Sequence, residues 1–141
     1  MEISEVKRHV SQTIERARRS AADRRVRADE ASREYATFLD QVAVPLFRQV
    51  AMVLKAENYA FTVFTPGGGV RLMSDRNADD FVEVSLDTTG EQIAVMGRAN
   101  RSRGGRVIQS EHPIGTGPVR NVTENAVLDF LLKGLEPFVE R

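Results

Sequence analysis

Two clusters of arginine are the residues of this sequence whose type and spacing could do chemistry. Residues 15–27 contain six arginines against two acidic residues, and the stretch RANRSRGGR contains no acidic residue. Arginine forms bidentate hydrogen bonds to phosphate, and the small residues between these arginines would let the chain follow a phosphate backbone. The clusters therefore indicate a surface for nucleic acid or another polyanion, formed by Arg16, Arg18, Arg19, Arg25, Arg27, Arg98, Arg101, Arg103 and Arg106.

Each cluster also has a simpler explanation. Arginines on a helix are usually solvated, and a basic hairpin loop is usually only a soluble turn. The second cluster holds no aromatic side chain on which a base could stack, and the formal net charge of the whole chain is zero. The zero net charge argues against nucleic-acid binding through the whole surface, and binding through the clusters is kept as an alternative.

Other candidate sites are weaker. His112 and Glu111 are neighbours, and with a carboxylate such as Asp75 they could form a small-molecule pocket or a weakly marked enzyme site. Residues 75–79 begin with the spacing of a calcium loop, but the glycine and the glutamate that such a loop needs further on are missing. The sequence predicts no catalytic residue, no metal site and no cofactor.

The element with the clearest pattern is a long helix at the N-terminus. Residues 2–44 contain neither glycine nor proline, and apolar residues recur there in a 4,3 spacing typical of a coiled coil. Only Lys7 and Arg24 interrupt this seam. Its other members are Ile3, Val10, Ile14, Ala17, Ala21, Ala28, Ala31, Tyr35, Phe38 and Val42.

The seam predicts an oligomer, because the later helices of the chain are too short to cover it. The commonest arrangement is a twofold homodimer of the same helix, with the seam residues as its interface. The pattern does not decide between parallel and antiparallel pairing. An alternative interpretation breaks the helix near residues 20–23 and folds it into a hairpin, although nothing there forces a turn.

The rest of the chain predicts an α+β domain. Pro45 is either the first residue of a new helix or a kink, and a second, shorter helix extends from there to about Glu57. Alternating residues then predict an antiparallel meander of four or five strands, at 59–65, 70–73, 81–86, 93–97 and 106–110, with the basic segment 98–105 as a loop. Thr123 caps a C-terminal helix whose broad apolar face covers the sheet. The predicted division is residues 1–44 as the oligomerisation helix and 45–141 as the α+β domain.

Composition limits the cell compartment and the class of protein. The chain contains no cysteine, which excludes disulfides and thiolate chemistry and is compatible with a reducing cytoplasm. Glu2, Glu5, Lys7 and Arg8 place charges where a signal peptide needs an apolar stretch, and the apolar runs are too short for a membrane span. The sequence therefore favours a cytoplasmic, non-enzymatic assembly module that pairs with itself and binds an unidentified protein partner.

Overall fold

The largest element of the described structure is a helix that runs from Ile3 to Ala56 without a break. The computed structural model describes residues 1–90 and 93–140. The helix consists of α1 (Ile3–Phe38), a π-helical turn (Leu39–Ala43) and α2 (Val44–Ala56). The hairpin alternative near residues 20–23 is wrong, since α1 passes through them as regular helix.

The π-helical turn explains why Pro45 does not separate two helices as the sequence predicts. Proline lacks the N–H that, in an α-helix, donates a hydrogen bond to the carbonyl four residues earlier. Just before it, the Val44 N–H bonds to the Leu39 carbonyl, five residues back. Because the hydrogen-bond ladder widens at this point, Pro45 falls in the first turn of α2 and the helix continues through it.

Five antiparallel strands form one sheet in sequential order, as predicted. They are β1 (Phe61–Phe64), β2 (Val70–Ser74), β3 (Phe81–Asp87), β4 (Ala94–Arg103) and β5 (Arg106–Pro113). With α3 (Glu124–Val139) at the C-terminus, the α+β prediction is confirmed. The prediction of a basic loop at 98–105 is wrong in part. Cross-strand pairing with β5 extends β4 to Arg103, so only Gly104 and Gly105 remain for the turn.

The helices cover one face of the sheet and leave the other face open. The covered face and the helices share one core, formed by Tyr35, Phe38, Ala43, Leu46, Phe47, Val70, Leu72, Val82, Val84, Val95, Ile114, Val119, Val122, Val127, Phe130, Leu131, Leu135 and Phe138. The phenol of Tyr35 donates a 3.5 Å hydrogen bond to the Val84 carbonyl. Burial, with the Glu83 carboxylate as a second cause, raises the pKa of Tyr35 to about 12, so the phenol stays protonated at neutral pH.

Helix α3 lies close against the centre of the sheet. Its predicted cap is confirmed, because the Thr123 hydroxyl accepts a 3.1 Å hydrogen bond from the Ala126 N–H. At Gly97 a Cβ would overlap the ring of Phe130. The absence of a side chain there lets α3 pack directly on β4.

The open face of the sheet carries an ion-pair cluster at its centre. Glu83 is 7% exposed, and its two carboxylate oxygens accept from Arg71 at 3.0 Å and from Arg98 at 2.6 Å. Both guanidinium groups also lie over the ring of Phe81, 4.0 and 5.4 Å from its centroid. The cluster therefore joins β2, β3 and β4 on the face that no helix covers.

We expect Glu83→Gln to destabilise the protein. The change keeps the shape of the side chain but removes the charge that two arginines share, and hydrogen bonds to charged groups contribute about 1.5 to 3 kcal/mol each. The free energy of unfolding in urea should fall by roughly 2 kcal/mol. Glu15→Gln is the matched control, because the Glu15–Arg19 pair is largely exposed and such pairs contribute less than about 1 kcal/mol. Equal effects of the two changes would contradict this account of the cluster.

Phe38→Ala should lower the free energy of unfolding by about 3 to 5 kcal/mol, because it removes a buried ring from the core. Ala21→Ser, at a seam position outside this core, should cost less than about 1 kcal/mol. Chemical denaturation of both variants at several protein concentrations measures the difference. If the Phe38 effect disappears at low concentration, the ring contributes to assembly and not to the fold of the chain.

Candidate functional site

The candidate functional site is the uncovered first part of α1, which we call the stalk (residues 3–23). All of residues 1–20 are exposed, including the apolar Met1 and Val6, which lie outside the seam. The large apolar seam residues among them are Ile3 at 86%, Val10 at 51% and Ile14 at 46% exposed. They lie on one side of the helix, since their 4,3 spacing repeats nearly every two turns. The stalk therefore presents an apolar stripe about 30 Å long to its surroundings.

The predicted seam is divided between two surfaces. Ile3, Val10, Ile14 and Ala17 are exposed on the stalk, and Ala21 is half-buried at its end. Further along, Ala28 and Ala31 are half-buried, and they line a groove of about 510 Å³ together with the turn after β3 and the loop before α3.

The last seam residues belong to the chain's own core. Tyr35 is 4% and Phe38 is 7% exposed, and Val42 packs against the same core. These three side chains cover the sheet, whereas the sequence pattern places them in an interface between subunits. The seam that a second molecule could reach is therefore the part before about Arg24.

The rest of the protein, which we call the body (residues 24–140), lies on the seam side of α1. Arg24, Ala28 and Ala31 all face Pro118 and Val119 across the groove. Arg120, in the short 3₁₀ turn Val119–Asn121, forms a 3.2 Å ion pair with Glu34. A helix packed along the seam of the stalk would therefore meet the body if it continued past this point.

The two arginine clusters do not form one continuous surface. Arg27, at the inner end of the first cluster, lines the groove with Gly90 and Ile93, beside the first residue of β4. Arg103 and Arg106 face each other at the hairpin turn, at the far end of that strand. Strand β4 is ten residues long, so its two ends are about 30 Å apart. Arg16, Arg18 and Arg19 are exposed further out on the stalk, and Arg25 is exposed beside Arg24.

Arg98 is committed to a structural role. It pairs with Glu83 and lies over Phe81 on the open face of the sheet. Arg101 lies on the opposite face, where it lines a groove between β5 and α3. Successive side chains of a strand alternate between its faces, so Arg98 and Arg101 point away from each other. Sequence reasoning missed this arrangement, because the pairing of Arg98 with Glu83 depends on the register of β3 and β4.

His112, Glu111 and Asp75 do not meet. His112 lines the groove of about 230 Å³ between β5 and α3, and its ring packs edge-on against Phe130 with centroids 5.6 Å apart. Glu111 points to the other face of β5. Asp75 accepts a 2.6 Å hydrogen bond from the Thr62 hydroxyl at the other edge of the sheet. The predicted acid–base combination is therefore not assembled.

The loop that resembles a calcium site is stabilised by a hydrogen bond of its own and by hydrogen bonds to β4. The Asn77 carboxamide oxygen accepts from the Asp79 N–H at 2.9 Å, and an Asp80 carboxylate oxygen accepts from the Ser102 N–H at 2.8 Å. Asn100 donates to the Asp79 carbonyl at 2.6 Å. Among residues 1–90 and 93–140, no group of three His, Asp or Glu side chains could hold a metal ion.

The Ile3–Ala56 helix is long enough to cross a membrane, and one 18-residue window of it has a mean hydropathy of 1.2. This is weak evidence for a membrane span, because the core helix of a soluble domain gives the same result. Leu46 and Phe47, which are among its most apolar residues, pack against the sheet, and 28% of the window is buried.

Comparison of the chain with protein-family models, with curated proteins and with solved structures finds no match.

Because the clusters lie apart, we expect only weak nucleic-acid binding. Fluorescence anisotropy with single- and double-stranded oligonucleotides should show binding at about 50 mM salt that is lost at about 200 mM. Replacing Arg101 and Arg103 together by alanine, or Arg18 and Arg19 together, should change little at the higher salt concentration. Tight binding there that either double substitution abolishes would establish a polyanion site.

Proposed function

We propose that this protein is a non-enzymatic assembly module that forms a homodimer through its stalk and presents its body to a protein partner. The observation that carries the proposal is the row of exposed apolar residues on a helix that has no cover of its own. Scattered exposed apolar residues are ordinary on a protein surface, but a 4,3 stripe along one side of a helix is what a second helix packs against.

Within the part of the chain that the structure describes, the body leaves positions 3–20 of the stalk exposed. In the described residues the core side chains of α1 begin at Tyr35, more than three turns beyond Ala21. A long helix that projects from a folded body and keeps its apolar stripe in solvent loses the free energy that burial of the stripe would provide. A second copy of the stalk offers a stripe of the same length and the same chemistry.

The interface in this proposal is weak. Ile3, Val10 and Ile14 are its only large apolar seam residues, since Ala17 and Ala21 bury little area and Lys7 is polar. We therefore expect the dimer to have a dissociation constant in the micromolar range, because its interface contains only a few large apolar residues. Such an equilibrium suits assembly that depends on concentration.

The edge of the sheet supports the second half of the proposal. Every residue of β5 is exposed, including Val107 and Ile108. An edge strand presents unpaired backbone groups to which an extended segment of another protein can add. Each dimer would offer two such edges to partner proteins, one on each body. We also propose that the protein is cytoplasmic. The absence of cysteine is compatible with that location.

Ile14→Glu should dissociate the dimer. It puts a charge into the middle of the apolar stripe, while glutamate keeps a good helix propensity. Light scattering coupled to size-exclusion chromatography should give about twice the 15.7 kDa chain mass for the unaltered protein and about that mass for the variant.

Gln12→Glu is the matched control, because residue 12 lies on the opposite side of the helix from residues 10 and 14 and gains the same charge. It should keep the dimer. The proposal fails if the unaltered protein is monomeric at every concentration up to about 1 mM, because an interface with a dissociation constant above that value has little affinity. It fails as well if both variants dissociate alike.

A further inference from the structure

We infer that the two stalks pair antiparallel, with the twofold axis on the seam side of the helix between Val10 and Ile14, at the level of residue 12, so that each body lies beyond the N-terminus of the other subunit. This inference rests on the proposed dimer and adds its geometry. It follows from two independent features of the chain, which are the side of α1 on which the body lies and the position of the two polar seam residues.

The position of the body disfavours parallel pairing. In a parallel dimer with aligned chains, each helix would follow the seam of the other past Ala28 and Ala31 towards Tyr35. That side of α1 is already occupied, because Ala28 and Ala31 face the chain's own loop and Tyr35 is buried against its own sheet. The helix does not end before the body, since it continues unbroken to Ala56.

The polar seam residues disfavour parallel pairing as well. Aligned parallel helices place each seam residue opposite its own copy. Lys7 would then face Lys7 of the second copy, and Arg24 would face Arg24 of the second copy. Like charges at facing core positions repel each other in a partly desolvated site, where the repulsion is stronger than in water.

Antiparallel pairing centred between Val10 and Ile14 avoids both problems. Seam positions of the two helices then face each other when their residue numbers sum to 24. Ile14 packs against Val10 of the second copy, Ala21 packs against Ile3, and Lys7 lies opposite Ala17. The small alanine leaves room for the lysine stem to lie along the interface and carry its amine to water.

The register follows from the length of the stalk. With this centre, Ile3 of the second copy reaches Ala21, and its helix ends before Arg24, where the body begins. A shift by one heptad would place Lys7 opposite Arg24 and would push Ile3 to Ala28, which lines the groove with the body. A shift in the other direction would leave Ala17 and Ala21 unpaired and would bury less apolar area.

The positions that flank the seam are compatible with this arrangement. Near the axis Ser11 and Thr13 meet their own copies, and further out Val6 lies beside Ser20 and Ser4 beside Arg18. None of these pairs combines like charges. The two bodies then lie at opposite ends of the paired stalks, with their grooves and β5 edges far apart.

Cross-linking with introduced cysteines tests the direction directly, since the chain has none of its own. Lys7→Cys and Ala17→Cys are made separately, mixed after reduction and removal of the reductant, and oxidised with oxidised glutathione, which is reduced to its thiol as the protein disulfide forms. We expect a covalent dimer in the mixture and no covalent dimer when either variant is oxidised alone. A mixture of Lys7→Cys with Arg24→Cys is the register control and should remain uncross-linked.

Each other result overturns the inference. Covalent dimers of Lys7→Cys alone, or of Ala17→Cys alone, would show parallel pairing, and cross-linking of positions 7 and 24 would show the shifted register. If light scattering finds a dimer that no pair cross-links, the seam does not form the interface. If light scattering finds only monomer, the proposed function itself fails, independently of direction.

A distance measurement gives a second test that does not depend on disulfide geometry. Ser32 is exposed and lies 20 residues, or about 30 Å of helix, from the proposed axis. Spin labels on Ser32→Cys in the dimer should be about 60 Å apart by pulsed electron paramagnetic resonance. A separation below about 20 Å, which neighbouring parallel helices would give, contradicts the inference.

Discussion

The continuity of the helix from Ile3 to Ala56 is the constraint on which the other features of this protein depend. Its second half must cover the sheet, because Phe38, Leu46 and Phe47 are buried there and supply much of the apolar core. A helix is stiff over tens of ångströms, so the first half has to project from the body in a fixed direction. The same rigidity decides which side of the stalk faces the body.

One stripe of apolar residues therefore performs two tasks. Up to Ala17 it is exposed, and from Tyr35 onward it is buried in the chain's own core. A coiled-coil seam and the apolar face of a core helix have nearly the same spacing, so a sequence can pass from one to the other without a change of pattern. In our proposal the junction near Arg24 is where contacts within the chain replace contacts between chains.

Arginine also serves different purposes in places that look alike in the sequence. Arg98 shares a buried carboxylate with Arg71, whereas Arg103 and Arg106 extend into solvent at the hairpin turn. The cluster around Glu83 holds three strands together on the face that lacks helices. A group of like charges in the sequence is therefore a poor guide to a surface, because strand pairing distributes its members over both faces of the sheet and to its ends.

The sequence by itself determined the elements of this fold. Alternation predicted the five-stranded meander, the residue types before α3 predicted its cap at Thr123, and the 4,3 spacing predicted the long helix. These features depend on neighbours within a turn or a strand, which a sequence displays directly. The same local pattern identified the exposed seam residues Ile3, Val10 and Ile14, although it assigned Tyr35 and Phe38 to the same surface.

Only the tertiary structure decided how those elements combine. The π-helical turn before Pro45 joins two predicted helices into one, the register of β3 and β4 brings Arg98 to Glu83, and the packing of α1 on the sheet removes Tyr35 and Phe38 from the seam. Each of these depends on residues far apart in the chain, whose positions follow from packing and strand register and cannot be found from local spacing.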